Sequence, residues 1–282
     1  MFDHFTTQVR SDFARARFKA ILRQVRSLLG GQPDRLLSYD EVKEKLRIGG
    51  PIYRVIQTVR IAEIVGSLNR YHQFDRAFLP LQDQIANRWQ NIDRAYYQDV
   101  SLPPVVLYKV GDVYFVVDGH HRVSVAREQG QEFIEADVRE CFTKVNITKD
   151  LTPEDLEILG EKVDFLERTG LDRLRPKASI KLTIPDGFDR MLEHIAVHRY
   201  FMGLEMERGI SEEEAVMHWY DRVYLPIIGV IRRSSILRRF PGKTEGDLYL
   251  YILDRQAYLS GQGRALLSPA RAAREFVNKV KR

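Results

Sequence analysis

Three nitrogen-rich side chains, His120, His121 and Arg122, follow directly on an apolar run from Val113 to Val117 that stops at Asp118-Gly119. Val123, Ala126 and the closing Gly130 then read as a short helix ended by glycine. This spacing sets the three side chains at a strand-to-helix turn, where backbone N–H groups lack partners and the helix dipole favours an anion. Gly119 suits such a junction: a sharp entry into a helix often needs positive φ, and a missing Cβ lets an anion approach the backbone. Arg122 offers a planar fork for two phosphate oxygens. Its alternative is an internal ion pair with an acid such as Asp99 or Asp137. Asp118 can cap the turn, hold a histidine tautomer, or ligate a metal carried by a nucleotide.

Two further groupings carry weaker chemistry. His194 and His198 stand four residues apart on a predicted helix, with Glu205 two turns on. That spacing puts both imidazoles on one face, but no third ligand is fixed, so no metal site is expected. The neighbouring His218-Trp219-Tyr220-Asp221 reads as a helical core face. The densest basic segment holds Arg232, Arg233, Arg238, Arg239 and Lys243, with Tyr249 and Tyr251 nearby. It suits either a nucleic-acid backbone, with a steep salt dependence, or the acidic middle of a second subunit.

The 282 residues are 44% hydrophobic and 29% charged, which permits a buried core and excludes global disorder. The net charge of +5 is unevenly spread: +4 over residues 1–30, +9 over 222–282 and −8 between them. Basic ends around an acidic middle imply an anionic partner or self-association, although solvated helix faces would give the same pattern. No apolar run approaches bilayer length, the first residues lack a secretory pattern, and the single Cys141 cannot form an internal disulfide. A cytoplasmic protein without a membrane partner is the expectation.

The elements that must position the turn follow from periodicity. Residues 9–29 read as an amphipathic helix, capped by Ser11, rich in arginine on its other face and stopped by Gly30-Gly31. Ser38-Tyr-Asp-Glu41 is a capping box. Thr58 to Ile61 alternates like a strand, 69–90 reads as a long polar loop with a helical turn or two, and 93–100 as a short helix. Val105–Val110 and Val113–Val117, joined by Gly111-Asp112, give a strong hairpin signal. A strand at 133–138 closes this α+β stretch. Beyond it helices dominate: one opened by Thr152-Pro153, one over 188–208, and one begun by Ser211 that Pro226 should break or kink. Thr244 caps a further helix, and Ser268-Pro269 opens the last. Residues 179–184 read as a strand. The expected organisation is an N-terminal helical arm at 1–51, a mixed-sheet domain at 52–142 and a mainly helical domain at 143–282.

The stretch from Ile56 to Glu140, with strand, polar loop, hairpin, Asp118-Gly119-His120-His121-Arg122 turn and helix, resembles the ParB/sulfiredoxin superfamily over about a third of the chain. That resemblance implies a small mixed-sheet fold whose turn binds nucleotide phosphates, from a nucleoside triphosphate or diphosphate with Mg2+. It also implies that the early loop joins the pocket, which makes Arg70 a second phosphate contact. ParB proteins usually read Gly-Glu-Arg-Arg at the turn, and the superfamily's free-serine kinases Asp-Gly-His-Thr-Arg, which is the nearer pattern. Sulfiredoxins place a reactive cysteine after the glycine. Here His120 stands in that position and Cys141 lies on the next strand, so sulfinic acid reduction is not expected. No helix-turn-helix DNA reader stands out in 150–282. Residues 180–261 faintly resemble an uncharacterised bacterial domain that accompanies ParB-like modules.

Three functional classes follow. One is a nucleotide-dependent regulator or DNA-associated protein. Another is a small-molecule phosphotransferase or nucleotide hydrolase, with Asp118 or His121 as base or metal-linked group. The last is a module that binds a partner protein through the same pocket. A homo-oligomer is compatible with all three.

Overall fold

The computed structural model describes residues 5–30, 35–70, 72–262 and 265–281. The chain divides into two compact units, Met1–Leu151 and Thr152–Arg282. The arm at 1–51 and the sheet domain at 52–142, separate in the sequence reading, belong to one unit that runs on past 142. Its last residues dock on the hairpin: Val145, Ile147 and Leu151 are buried, and Asn146 donates to Asp112 at 2.6 Å.

In the first unit, helix α1 (Thr6–Gly30) is followed by β1 (Leu37–Ser38), α2 (Tyr39–Lys45), β2 (Pro51–Arg60) and β3 (Ile64–Ser67). Helix α3 (Ala86–Tyr97), the hairpin β4 (Val105–Val110) and β5 (Val113–Asp118), α4 (His120–Glu128) and β6 (Phe133–Cys141) complete it. The six strands are ordered β1-β3-β5-β4-β6-β2. β1, β3 and β5 run parallel to one another, and the β4–β6 pair is also parallel. The β4–β5 and β6–β2 pairs are antiparallel. The fold is α+β, and the hairpin turns at Gly111 with φ +57° as its glycine predicts.

Side chains from both sequence halves of this unit fill its core, among them Phe13, Phe74, Phe78, Trp89, Leu107 and Val116. Phe13 of α1 meets Trp89 of α3 edge-on at 5.6 Å, and Trp89 Nε1 donates to Ser124 of α4 at 2.8 Å. α1, α3 and α4 are thereby locked in sequence. Among its described residues the stretch 69–90 is a loop with one helical turn at Asp83–Ile85, as expected, before α3 begins at Ala86. Asp75 is fully buried, and its Oδ1 accepts from the Ala77 and Leu79 N–H groups, each at 2.8 Å. That carboxylate gathers the segment, and α3 starts seven residues before the expected position. Arg127 fastens the same region, donating to the Ile61 and Ile64 carbonyls, each at 2.6 Å, with its guanidinium over Phe78.

The second unit is helical: α5 (Pro153–Thr169), α6 (Leu171–Leu174), α7 (Gly187–Met206), α8 (Glu212–Trp219), α9 (Leu225–Ser234), α10 (Glu245–Gly261) and α11 (Pro269–Lys281). Thr152 and Thr244 cap their helices as read, each completing a full capping box with the aspartate three residues on. Residues 179–184 form no strand. Ile180 and Leu182 are buried with the period of a strand, yet the polar partners are side chains of α10's first turn. Thr183 N–H and Oγ1 both donate to Asp247 at 2.8 Å, and Thr244 Oγ1 donates to the Lys181 carbonyl at 2.6 Å. Pro226 does not break its helix. A π turn, Tyr220–Tyr224, precedes it, and the helix restarts with the proline in its first turn.

One buried polar network joins α1 to α3. Asp12 and Asp93 are fully buried; Tyr97 donates to Asp12 at 2.7 Å, and Gln129 to Asp93 Oδ1 at 2.6 Å. Asp93 Oδ2 has no partner. Burial first, then the neighbouring Asp12, push the Asp93 carboxyl up to about 6. A raised folded value means the folded chain holds this proton more tightly than the unfolded chain does. Its stabilising contribution is complete below about pH 4 and is lost as pH rises through about 6. Asp93→Asn should therefore raise the melting temperature at pH 8, with the gain disappearing below about pH 5, measured by calorimetry across that range.

Candidate functional site

β3 and β5 run parallel as neighbours, so Ser67 and Asp118 lie together at their carboxyl ends, an edge of a sheet where ligands commonly bind. The chain leaves β5 through Gly119 at φ +96°, and α4 begins at once with no side-chain cap on its N-terminus. The glycine is required twice over. L-residues avoid this φ, and a Cβ here would stand 2.6 Å from Val105 Cγ1.

This abrupt entry drives His120 and His121 inward; both are buried, where the sequence reading had them facing a ligand as a nitrogen-rich pair. His120 Nε2 lies 2.7 Å from Ser67 Oγ, so β3 and α4 are tied across the site. Phe74 stacks on the His120 ring and meets His121 edge-on at 5.4 Å. Burial, then the positive Arg70, lowers His120 to about 4. Burial, then Arg88 and Arg70, lowers His121 to about 4. Both imidazoles are neutral at pH 7 and serve as hydrogen-bonding groups, not as cations. His121 Nδ1 is buried without a partner.

Arg122 is engaged by the protein itself. Its guanidinium donates to the Pro103 carbonyl, to the Pro104 carbonyl at 3.0 Å and to Asp118 at 2.7 Å. The internal ion pair weighed for this residue exists, but with Asp118 four residues back instead of Asp99 or Asp137. Asp137 pairs with Arg54 through two bonds of 2.8 and 2.7 Å. Asp118 is exposed at the mouth of the turn.

The positive field comes from two other arginines. Arg70, half-buried, bonds Gln73 at 3.0 Å, and its charge reaches both histidines. Arg88, exposed on α3, acts on His121 and has no ion pair among the described residues. Ser67, Phe74 and Arg88 are the site's members that sequence reasoning missed. Arg88 fell in a stretch read as loop, and Ser67 carried no signal beyond ending an apolar run. Beside Arg122 an open groove of about 690 Å3 runs past Ile92, Tyr96, Leu102 and Val105.

The other candidates lie in the second unit. His194 and His198 do not converge. His194 Nδ1 bonds the Tyr249 hydroxyl at 3.2 Å, which accepts from Trp219 Nε1 at 2.9 Å. His198 Nε2 bonds His218 Nδ1 at 2.8 Å. Among the described residues no group of three or more His, Cys, Asp or Glu stands arranged to hold a metal. In the basic segment Arg232 grips Glu245 through two bonds of 2.8 and 2.7 Å, and Arg239 donates to the Val280 carbonyl near the end of α11. Lys243 lies 3.4 Å from Thr183 Oγ1. Arg233 and Arg238 are exposed. No helix among the described residues is long and apolar enough to cross a membrane.

No protein-family model and no curated protein matches the chain. Among solved structures, sulfiredoxin from Arabidopsis thaliana is similar to 30% of this chain and 85% of its own length, at 18% identity and a TM-score of 0.24.

Two outcomes follow from this geometry. Gly119→Ala should lower stability by about 1–3 kcal/mol in denaturant unfolding, because strained φ and the Val105 wall act together. The lowered histidine values mean that the unfolded chain binds protons here more readily than the folded one. The contribution of the two histidines to stability should therefore rise from about pH 4 to about 6.5, opposite in sign to that of Asp93, and the His120 and His121 ring resonances should stay unprotonated down to pH 5 by NMR.

Proposed function

We propose that the turn between β5 and α4 binds the phosphate group of a nucleotide or similar phosphate ester. The observation that carries this reading is an uncapped helix N-terminus beside the buried, unpartnered His121 Nδ1, with Arg70 and Arg88 supplying positive charge from the flanking loop and helix. N–H groups and the dipole of α4 favour the anion, and the two arginines supply charge-assisted bonds. In this reading Arg122 is a positioning residue: it holds the 103–104 segment and Asp118 in place beside the site.

Turnover is a second reading, favoured by the neutral His121, whose free ring nitrogen can accept a proton from an attacking hydroxyl. Asp118, exposed at the mouth, would then face a Mg2+ carried by the nucleotide. A regulator that binds without turnover needs neither group.

Calorimetry of the full chain with inorganic phosphate, ADP and ATP, with and without magnesium, tests the proposal. At least one should bind, and the double variant Arg70→Ala/Arg88→Ala should weaken it by about tenfold or more. Arg122→Ala should lower the melting temperature while leaving the double variant the weaker binder. Absence of binding by every phosphate compound overturns the reading. So does an affinity indifferent to the loss of both arginines. Product analysis of the bound nucleotide then separates an enzyme from a switch.

A further inference from the structure

The sheet of the first unit ends differently on its two sides. β1 closes one side with two residues, Leu37 and Ser38, both buried. β2 closes the other with ten, and its neighbour in the sheet is β6 alone. Ile52, Tyr53 and Ile56 of β2 are each more than half exposed.

The ladder decides which backbone groups of β2 point outward. Just beyond the strand, Ile61 N–H donates to the Glu132 carbonyl at 2.9 Å, in the same register as the β2–β6 pairs. Opposed residues of an antiparallel pair alternate between exchanging hydrogen bonds and making none. Val59, Gln57 and Val55 therefore turn their N–H and C=O groups toward β6. Those of Thr58, Ile56 and Arg54 face away from the sheet, without a hydrogen-bond partner among the described residues.

Sheet edges are commonly guarded by shortness, by proline, by a bulge or by charge. β2 has its proline and its register shift only at its start, between Pro51 and Tyr53. Both of its charges turn back onto β6: Arg54 bonds Asp137, and the Arg60 guanidinium lies 5.7 Å over the Phe133 ring. The middle of the strand is left unguarded.

A row of outward N–H and C=O groups calls for an extended backbone, and β2 itself supplies one that fits. An antiparallel pair about a two-fold axis through Ile56 sets that residue against the second copy's Ile56. The same operation sets Arg54 against the second copy's Thr58 and Tyr53 against the second copy's Val59. Every outward group of Arg54, Ile56 and Thr58 then finds a partner, and no two arginines stand directly opposite. Tyr53 gains a favoured aromatic–β-branched pair. The contact uses up the open edge, and β1 offers no second one, so assembly closes at two copies.

We infer that the protein forms a homodimer by antiparallel pairing of its β2 edges, with Ile56 on the two-fold axis.

Sedimentation velocity of the full chain at micromolar concentrations should show a dimer. Ile56→Pro removes an N–H that faces away from β6, so the fold keeps its ladder while the contact loses a bond from each copy. Ile56→Lys sets two ammonium groups opposite each other. Each should raise the dissociation constant by about tenfold or more, with the far-UV circular dichroism unchanged. Directly opposed, hydrogen-bonded residues have Cα atoms about 5.5 Å apart, within disulfide reach. Ile56→Cys should therefore give a disulfide-linked band of twice the chain's mass under mild oxidation, and Val100→Cys, also exposed but outside β2, should not. The natural Cys141 is buried, so it leaves the readout clean. A single monomeric species at every concentration overturns the inference and leaves the edge to a strand of another protein. A dimer that keeps its affinity in both the proline and the lysine variant overturns it equally. One weakened by both but uncrosslinked at position 56 overturns the axis.

Discussion

Everything in the first unit depends on the chain reversing at Gly119 without a linking loop. With φ at +96° and Val105 closing the space where a Cβ would sit, β5 passes into α4 in a single residue. The helix is therefore held against the sheet at a fixed angle, and its first side chains are forced inward. α4 then carries α3 through the Trp89–Ser124 bond, and α3 carries α1 through Phe13 and the buried Asp12. A conformational constraint at one glycine propagates across three helices. The uncapped N–H groups that make the turn attractive to an anion arise from the same abrupt start.

Electrostatically, the unit divides its cations into two kinds. Arg122 and Arg127 are enclosed and donate to backbone carbonyls, so their charge holds strands and loops in place. Arg70 is half-buried and Arg88 exposed, and neither holds a backbone carbonyl among the described residues. The histidines between them are neutral because they are buried beside like charge. The ordinary intuition that a His-His-Arg cluster is a cationic grip fails here on desolvation. The charge sits one layer out, on residues distant in sequence.

The hairpin, the glycine turn, α4 and the threonine caps of α5 and α10 were legible because each rests on a local rule: a two-residue turn, a positive φ, a side chain reaching three residues on. The α+β class followed from them. What was not legible depended on distant groups. The start of α3 is set by the packing of Trp89 and by Asp75 gathering the segment before it, neither of which leaves a periodic trace. Residues 179–184 carry the alternation of a strand, but a strand also needs a neighbouring backbone, and here Asp247 and Thr244 take that place. Arg122 was correctly placed at the helix start. Its partners Pro103 and Pro104 come from across the hairpin and could not be read from spacing.

The π turn at Tyr220–Tyr224 has a consequence for chain length. It holds one residue more than an α-helical path would over the same turn, and that residue is what lets Pro226 follow without its ring meeting the carbonyl four residues back. Take the extra residue away and the side chains of α8 and α9 fall out of phase by about 100°, because each helical residue turns the chain by that angle. Trp219 and Tyr224, now ring against ring in the core, would point in different directions. The packing of the second unit therefore depends on the count of residues along this helix as well as on their types.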